Sequence, residues 1–259
     1  MSKLAANHLQ LHPDRASKAL LSASQSGNLQ IVKDLLGVPG IDFNVQDEDG
    51  DTPLMLACLK GHVEIASLLL KHGPQSQLDM RDNEDETSLF IAAGSGHMRI
   101  VKILLDCGLS SEQINAQCDI GMTPLIISIV EGHTAIASLL IPRLSPIQLT
   151  MGCSIGMTPL MWAISECNTE IAKMILAAGL NAKQLSVQDE DGWTALMWAS
   201  LQRDDESIKL LLDAGLSPEQ INLQNERGRT ALMIAATDEI KQIIQDQLNK
   251  LQKQNNANE

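Results

Sequence analysis

The sequence predicts an all-α repeat solenoid, in which helix-turn-helix units stack on one another and are joined by β-hairpin-like finger loops. Three observations carry this expectation. The segment "VQDEDGDTPLM" at Val45 to Met55 returns as "VQDEDGWTALM" at Val187 to Met197, 142 residues later. Six segments of this kind align on Thr52, Thr87, Thr123, Thr158, Thr194 and Thr230, at spacings of 35, 36, 35, 36 and 36 residues. Finally, 44% of the 259 residues are hydrophobic but only 2% are aromatic, with two Phe, three Trp and no Tyr. Such a core has to be built from Leu, Ile, Ala and Met, which favours small, closely packed helices.

Taken in chain order, residues 1–16 read as a polar N-terminal capping segment, residues 17–252 as the repeat array and residues 253–259 as a flexible tail. The first unit, "KALLSASQSGNLQIVKDLL", has the helical pattern without the threonine, which brings the expected number of units to seven. In each later unit the threonine can cap a helix, and Pro53, Pro124 and Pro159 stand at the first helical position, where a missing N–H costs nothing. Gly61, Gly96 and Gly132 end that helix, and apolar runs such as "VEIASLLLKHG" and "MRIVKILLDCG" form a second one ending at Gly73 and Gly108. Polar segments such as "SSEQINAQCDIG" and "SPEQINLQNERG" follow, read as projecting loops. The fourth unit departs from the pattern, with Pro142 at the end of its second helix and Leu144 where glycine is expected.

A threonine-proline helix start, a Gly-His turn, a leucine-rich second helix and a finger loop resemble the ankyrin repeat, whose period is about 33 residues. The resemblance covers about residues 17 to 250. It implies a stack of nearest-neighbour contacts with polar ends, and a concave face lined by finger tips and the exposed side of the first helices. The histidine of the family's TPLH signature is replaced by Met55, Phe90, Ile126, Met161, Met197 and Met233. That substitution is expected to remove a polar contact and increase reliance on apolar packing.

Composition excludes several function classes. A net charge of −13 opposes contact with nucleic-acid phosphates. Five cysteines without a CxxC pair do not form a disulfide framework. The start "MSKLAANHLQLHPDR" carries no signal-peptide apolar segment, and no run approaches the ~20 apolar residues of a membrane span. The expected setting is a reducing, cytoplasmic compartment, without membrane insertion. Delivery into a host cell by a specialised secretion machine is compatible with the same features. No GxxxxGK[ST], GxSxG or HExxH motif is present, so no catalytic residue, cofactor or metal ligand is assigned. His62, His97 and His133 are matched across units and read as the family's Gly-His turn. Cys118 and Cys153 are also matched, but helices ~8–10 Å apart disfavour a bridge that needs Cα atoms within ~7 Å.

What remains is a surface. Positions two, five, six and nine after each threonine share a helix face, for example Leu160, Ala163, Ile164 and Cys167, or Leu232, Ala235, Ala236 and Glu239, and apart from that glutamate the face reads as core. The opposite face, with the finger tips, is the candidate binding site. Its early fingers are acidic, at Glu48, Asp49 and Asp51 and then Glu84 and Glu86; its middle fingers are apolar, at Ile120 and Met122 and then Ile155 and Met157. Trp193 lies beside Asp191 on the sixth, and Arg227 and Arg229 lie on the last. Trp162 and Trp198 fall on the same predicted surface, either as anchors or as packing beneath neighbouring fingers. The expected function is a non-enzymatic, monomeric scaffold or adaptor that binds a protein partner with apolar anchors and a basic segment. Alternatives are a host-directed effector of an intracellular bacterium using the same binding mode, and a self-associating structural spacer.

Overall fold

The computed structural model describes residues 12–258, all of whose regular elements are helical. Contacts divide the chain at Asp119 and Ile120 into two compact units. The N-terminal unit contains α1 (Pro13–Ser26), α2 (Leu29–Leu35), α3 (Pro53–Lys60), α4 (Val63–His72), α5 (Ser88–Gly94), α6 (Met98–Asp106) and the single turn α7 (Ser111–Ile114). Here α1 packs on α3 and α3 on α5, while α2 packs on α4 and α4 on α6.

The C-terminal unit contains α8 (Pro124–Val130), α9 (Thr134–Leu140), α10 (Pro159–Ser165), α11 (Thr169–Ala177), the short α12 (Ala182–Leu185), α13 (Ala195–Gln202), α14 (Asp205–Asp213), the short α15 (Pro218–Ile221), α16 (Ala231–Ile234) and α17 (Asp238–Asn258). First helices stack in the order α8, α10, α13, α16, and second helices in the order α9, α11, α14, α17. The seven expected pairs are therefore present, three in the first unit and four in the second. Residues 1–11 of the expected capping segment lie outside the described residues. The rest of that segment enters α1, and α17 runs through residues 253–258 of the expected tail.

The threonines do the work that their spacing suggests. Each side-chain oxygen of Thr52, Thr87, Thr123, Thr158, Thr194 and Thr230 accepts the backbone N–H three residues on, at 3.2–3.3 Å. The residues at that third position sink into the stack: Met55, Phe90, Ile126, Met161 and Met197 are all at most 5% exposed. Methionine also retains some polar function, since the Thr52 N–H points at Met55 Sδ at 3.3 Å and the Thr158 N–H at Met161 Sδ at 3.5 Å. At Met55 and Met161 the sulfur thus accepts a bond within its own turn.

Three sequence expectations change. The "SSEQIN" and "SPEQIN" segments are not plain loops: Ser110 and Ser217 cap single helical turns, with Gln113 and Gln220 completing the box. Pro142 lies in a tight turn over Ile141–Arg143, after which the chain extends and buries Leu144, so an inward side chain replaces the glycine stop. The face assigned to the core is incomplete, because Cys167 and Ala236 are exposed. Cys167 takes a left-handed φ of 55° after α10, and α16 ends at Ile234, so neither residue continues the helix face. Met233, with no later unit above it, is 65% exposed.

Candidate functional site

The fingers that begin at Asp47, Asp82, Cys153, Asp189 and Asn225 are closed by the same backbone turn. In the first, the Asp47 N–H donates to the Asp51 carbonyl at 3.1 Å and the Gly50 N–H to the Asp47 carbonyl at 3.2 Å. The fourth position takes a left-handed φ, filled by Asp85 (64°) in the second finger and by glycine in the others; at Gly192, with φ 77°, a Cβ would stand 3.0 Å from Asn225 Cα of the next finger. Successive fingers are tied by one repeated bond. The Asn83 N–H reaches the Asp49 carbonyl in the first unit, and the Glu190 N–H reaches the Ile155 carbonyl and Glu226 N–H the Asp191 carbonyl in the second, all at 3.0–3.1 Å. The tips therefore form fixed rows, and their side chains are presented at regular intervals.

In the first unit the row is acidic. Asp47 and Asp82 are occupied by their own turns, accepting the N–H groups of Asp49 and Asp51 and of Glu84 and Glu86 at 2.8–3.1 Å. Glu48, Asp49 and Glu84 are exposed, whereas Asp51 and Glu86 are half-buried. Burial, reinforced by Asp47, Asp82, Asp49 and Glu84, pushes the Asp51 carboxyl up to about 6. Burial again, with Asp82, Glu84, Asp51 and Asp119, pushes Glu86 up to about 7. Beside them Arg81 donates to the carbonyls of Asp85 and Gln117 at 2.7 and 2.8 Å, so its guanidinium is committed to the backbone.

In the second unit the row is apolar and then aromatic. Ile120 and Ile155 are 50% and 47% exposed, Met122 is half-buried, and Met157 is only 5% exposed. Met157 is therefore corrected from a candidate contact to a core residue. Trp193 and Trp198 stand together, ring centroids 5.0 Å apart and planes inclined at 37°, and the Arg229 guanidinium lies 6.0 Å from the Trp193 centroid. The Trp198 indole N–H donates to Asp189 Oδ2 at 3.0 Å, while Asp189 Oδ1 accepts the N–H groups of Asp191 and Trp193 at 3.1 and 2.8 Å. Against these rings lies a cleft of about 270 Å³, lined also by Asp191, Leu201, Glu226 and Arg227. Arg227 and Arg229 are exposed, and Trp162 is half-buried.

The structure thus gathers Trp193, Trp198 and Arg227 at one cleft, with Arg229 over the Trp193 ring, and Asp51 and Glu86 in one acidic cluster with Asp49 and Glu84. Sequence reasoning missed Asp189, Leu201 and Glu226. Asp189 had a visible signal, since Asp47 and Asp189 stand five residues before their threonines in the two copies of the recurring segment. Leu201 lies seven residues after its threonine on the surface side of α13.

The matched histidines behave as turn elements. The His62 and His97 rings lie where a Cβ on Gly27 or Gly61 would be, within 2.6 Å, and each Nε2 is 3.2 Å from a carbonyl, of Gln25 and Leu59 respectively. Among the described residues no group of three or more His, Cys, Asp or Glu side chains could hold a metal ion, and no helix is long and apolar enough to cross a membrane. None of the five cysteines is in a disulfide.

Comparison with known proteins places this architecture. The family model described as "Ankyrin repeats (3 copies)" matches residues 20–118, 107–185 and 180–256. Protein phosphatase 1 regulatory subunit 27 of Mus musculus and of Homo sapiens is 44% identical over 63 residues, which are 24% of this chain and 40% of the length of those relatives. The crystal structure of the human ASB11 ankyrin repeat domain is 26% identical and superposes with a TM-score of 0.66, over 88% of this chain and 96% of that one. With nearly every described pair of helices inside a matched segment, the chain belongs to the ankyrin repeat family.

Proposed function

We propose that this chain is a non-enzymatic scaffold or adaptor, which binds a protein partner through its finger tips and the adjoining faces of its first helices. The observation that carries this reading is the aromatic cleft of the second unit. Two half-buried tryptophans, Trp193 and Trp198, and the exposed Leu201 line it on a surface that is otherwise polar, and buried tryptophan anchors commonly dominate interface energies. The exposed Ile120 and Ile155 extend the apolar character of that unit. In the first unit the acidic fingers suit basic side chains of a partner, which would be steered there electrostatically. The relatives named as regulatory subunits of a phosphatase support a role exercised by binding another protein. A cytoplasmic setting, and a monomeric chain, are part of the same proposal.

The test is affinity capture from cytosolic lysate with the wild-type chain beside Trp193→Ala and a Glu48→Gln, Asp49→Asn, Glu84→Gln variant, each matched to wild type by circular dichroism. A protein retained by wild type and lost from both variants supports the reading. The same retained proteins on all three chains would overturn it. Met157 has no place among the surface variants, because truncating it would open a cavity.

A further inference from the structure

The finger carrying Trp193 differs from its neighbours in one detail. Five residues before the threonine the successive fingers have Asp47, Asp82, Cys118, Cys153, Asp189 and Asn225. Nine residues beyond that position, on the first helix, stand Trp162 for Cys153 and Trp198 for Asp189. The two backbones are alike, with Cys153 N–H on the Met157 carbonyl at 3.1 Å and Asp189 N–H on the Trp193 carbonyl at 3.0 Å. The indoles are not alike. Trp198 Nε1 is held by Asp189, whereas Trp162 Nε1 is buried without a hydrogen-bond partner. A thiol replaces the carboxylate in that turn, so the acceptor is missing.

We infer that Asp189 is the positioning residue of the interaction surface: one oxygen fixes the finger turn that presents Trp193 and the other fixes the Trp198 ring, so the aromatic cleft is built before a partner arrives. Trp162, equivalent in place but with Cys153 in its turn, is the adaptable ring of the same surface. A pre-oriented pair loses less freedom on binding than a mobile one. The role of the cleft in binding rests on the proposed function; the latch itself does not.

Asn225 supplies the means of separating the two jobs. Its Oδ1 accepts the N–H groups of Arg227 and Arg229 at 3.0 Å, so an amide sustains this turn, and its Nδ2 has no partner. Asp189→Asn should keep the finger and set an N–H donor against the Trp198 N–H. Cys153→Asp should give Trp162 the acceptor it lacks.

The test is the ¹H–¹⁵N spectrum and solvent exchange of the indole groups in the full chain. In Asp189→Asn, the backbone signals of residues 191 and 193 should stay near their wild-type positions, while the Trp198 indole proton moves upfield and exchanges about tenfold faster. In Cys153→Asp, the Trp162 indole proton should move downfield and exchange more slowly. An unmoved Trp198 indole would overturn the latch; if Asp189→Asn does not fold, an unmoved Trp162 indole in Cys153→Asp does so instead. The affinity of a captured partner is the separate readout. Weaker binding by Asp189→Asn supports the positioning role, whereas a moved indole with unchanged affinity leaves the latch standing and overturns the cleft as the contact surface.

Discussion

Replacing Asp51 by Asn and Glu86 by Gln should stabilise the chain near neutral pH and flatten its response to acid. Both carboxyls ionise higher in the folded chain than in the unfolded one: Asp51 at about 6 against an ordinary 3.8, and Glu86 at about 7 against 4.5. The folded state therefore holds these protons more tightly. Their ionisation destabilises the fold as pH rises from about 4 through 7, and the cost is fully present above the folded values. At about 1.4 kcal/mol per pH unit, each group alone would cost roughly 3 kcal/mol near pH 8. Both are only partly buried and share neighbours, so solvent screening and coupling reduce this to roughly 1 kcal/mol each. The double variant should then gain about 2 kcal/mol near pH 8, seen in urea as a midpoint raised by roughly 0.7 M for a slope of about 3 kcal/mol/M. Near pH 4, where these carboxyls are protonated in the folded chain and largely so in the unfolded one, the gain should shrink to roughly a tenth of that. A variant no more stable than wild type near pH 8, or an equal gain at both pH values, would refute the reasoning.

Other expectations follow from the same geometry and are read by denaturant unfolding. Thr158→Ala leaves the buried Met161 N–H without its acceptor and should cost about 1–2 kcal/mol. Met157→Ala should lose about 2–4 kcal/mol, whereas Ile155→Ala, at an exposed tip, should change stability by no more than about 0.5 kcal/mol. Gly192→Ala combines a left-handed φ with a 3.0 Å approach to Asn225 Cα, and should destabilise more than Gly108→Ala, whose φ of 79° is similar but whose Cβ would meet nothing within 4 Å. The ordering matters more than the sizes: equal losses at the two glycines would show that finger stacking contributes nothing.

The repeat was legible because its determinants are local. A threonine cap needs only a residue and the N–H three positions later, so the period and the first helices could be placed from spacing alone. The single turns at Ser110 and Ser217 were legible in principle through the serine and the glutamine three residues on. Burial at the finger tips was not. Met122 and Met157 share a letter and a position in the repeat, yet one is half-buried and the other lies in the core, because the packing of neighbouring side chains decides and the repeat does not encode it. The Asp189–Trp198 bond joins a finger to a helix across nine residues, a distance that no helical or strand periodicity relates. The early end of α16 was hidden for a similar reason: the Ala236 N–H turns to the Ser200 carbonyl of the preceding pair at 3.4 Å.

The most direct measurement is the calorimetric affinity of a captured partner for wild type and for Trp193→Ala, the variant having first been shown to unfold as wild type does. A loss of about 2 kcal/mol, or roughly thirtyfold in Kd, is the expected result for an anchor in the aromatic cleft. An affinity unchanged within error would contradict the assignment of this surface as the place where the protein meets its partner.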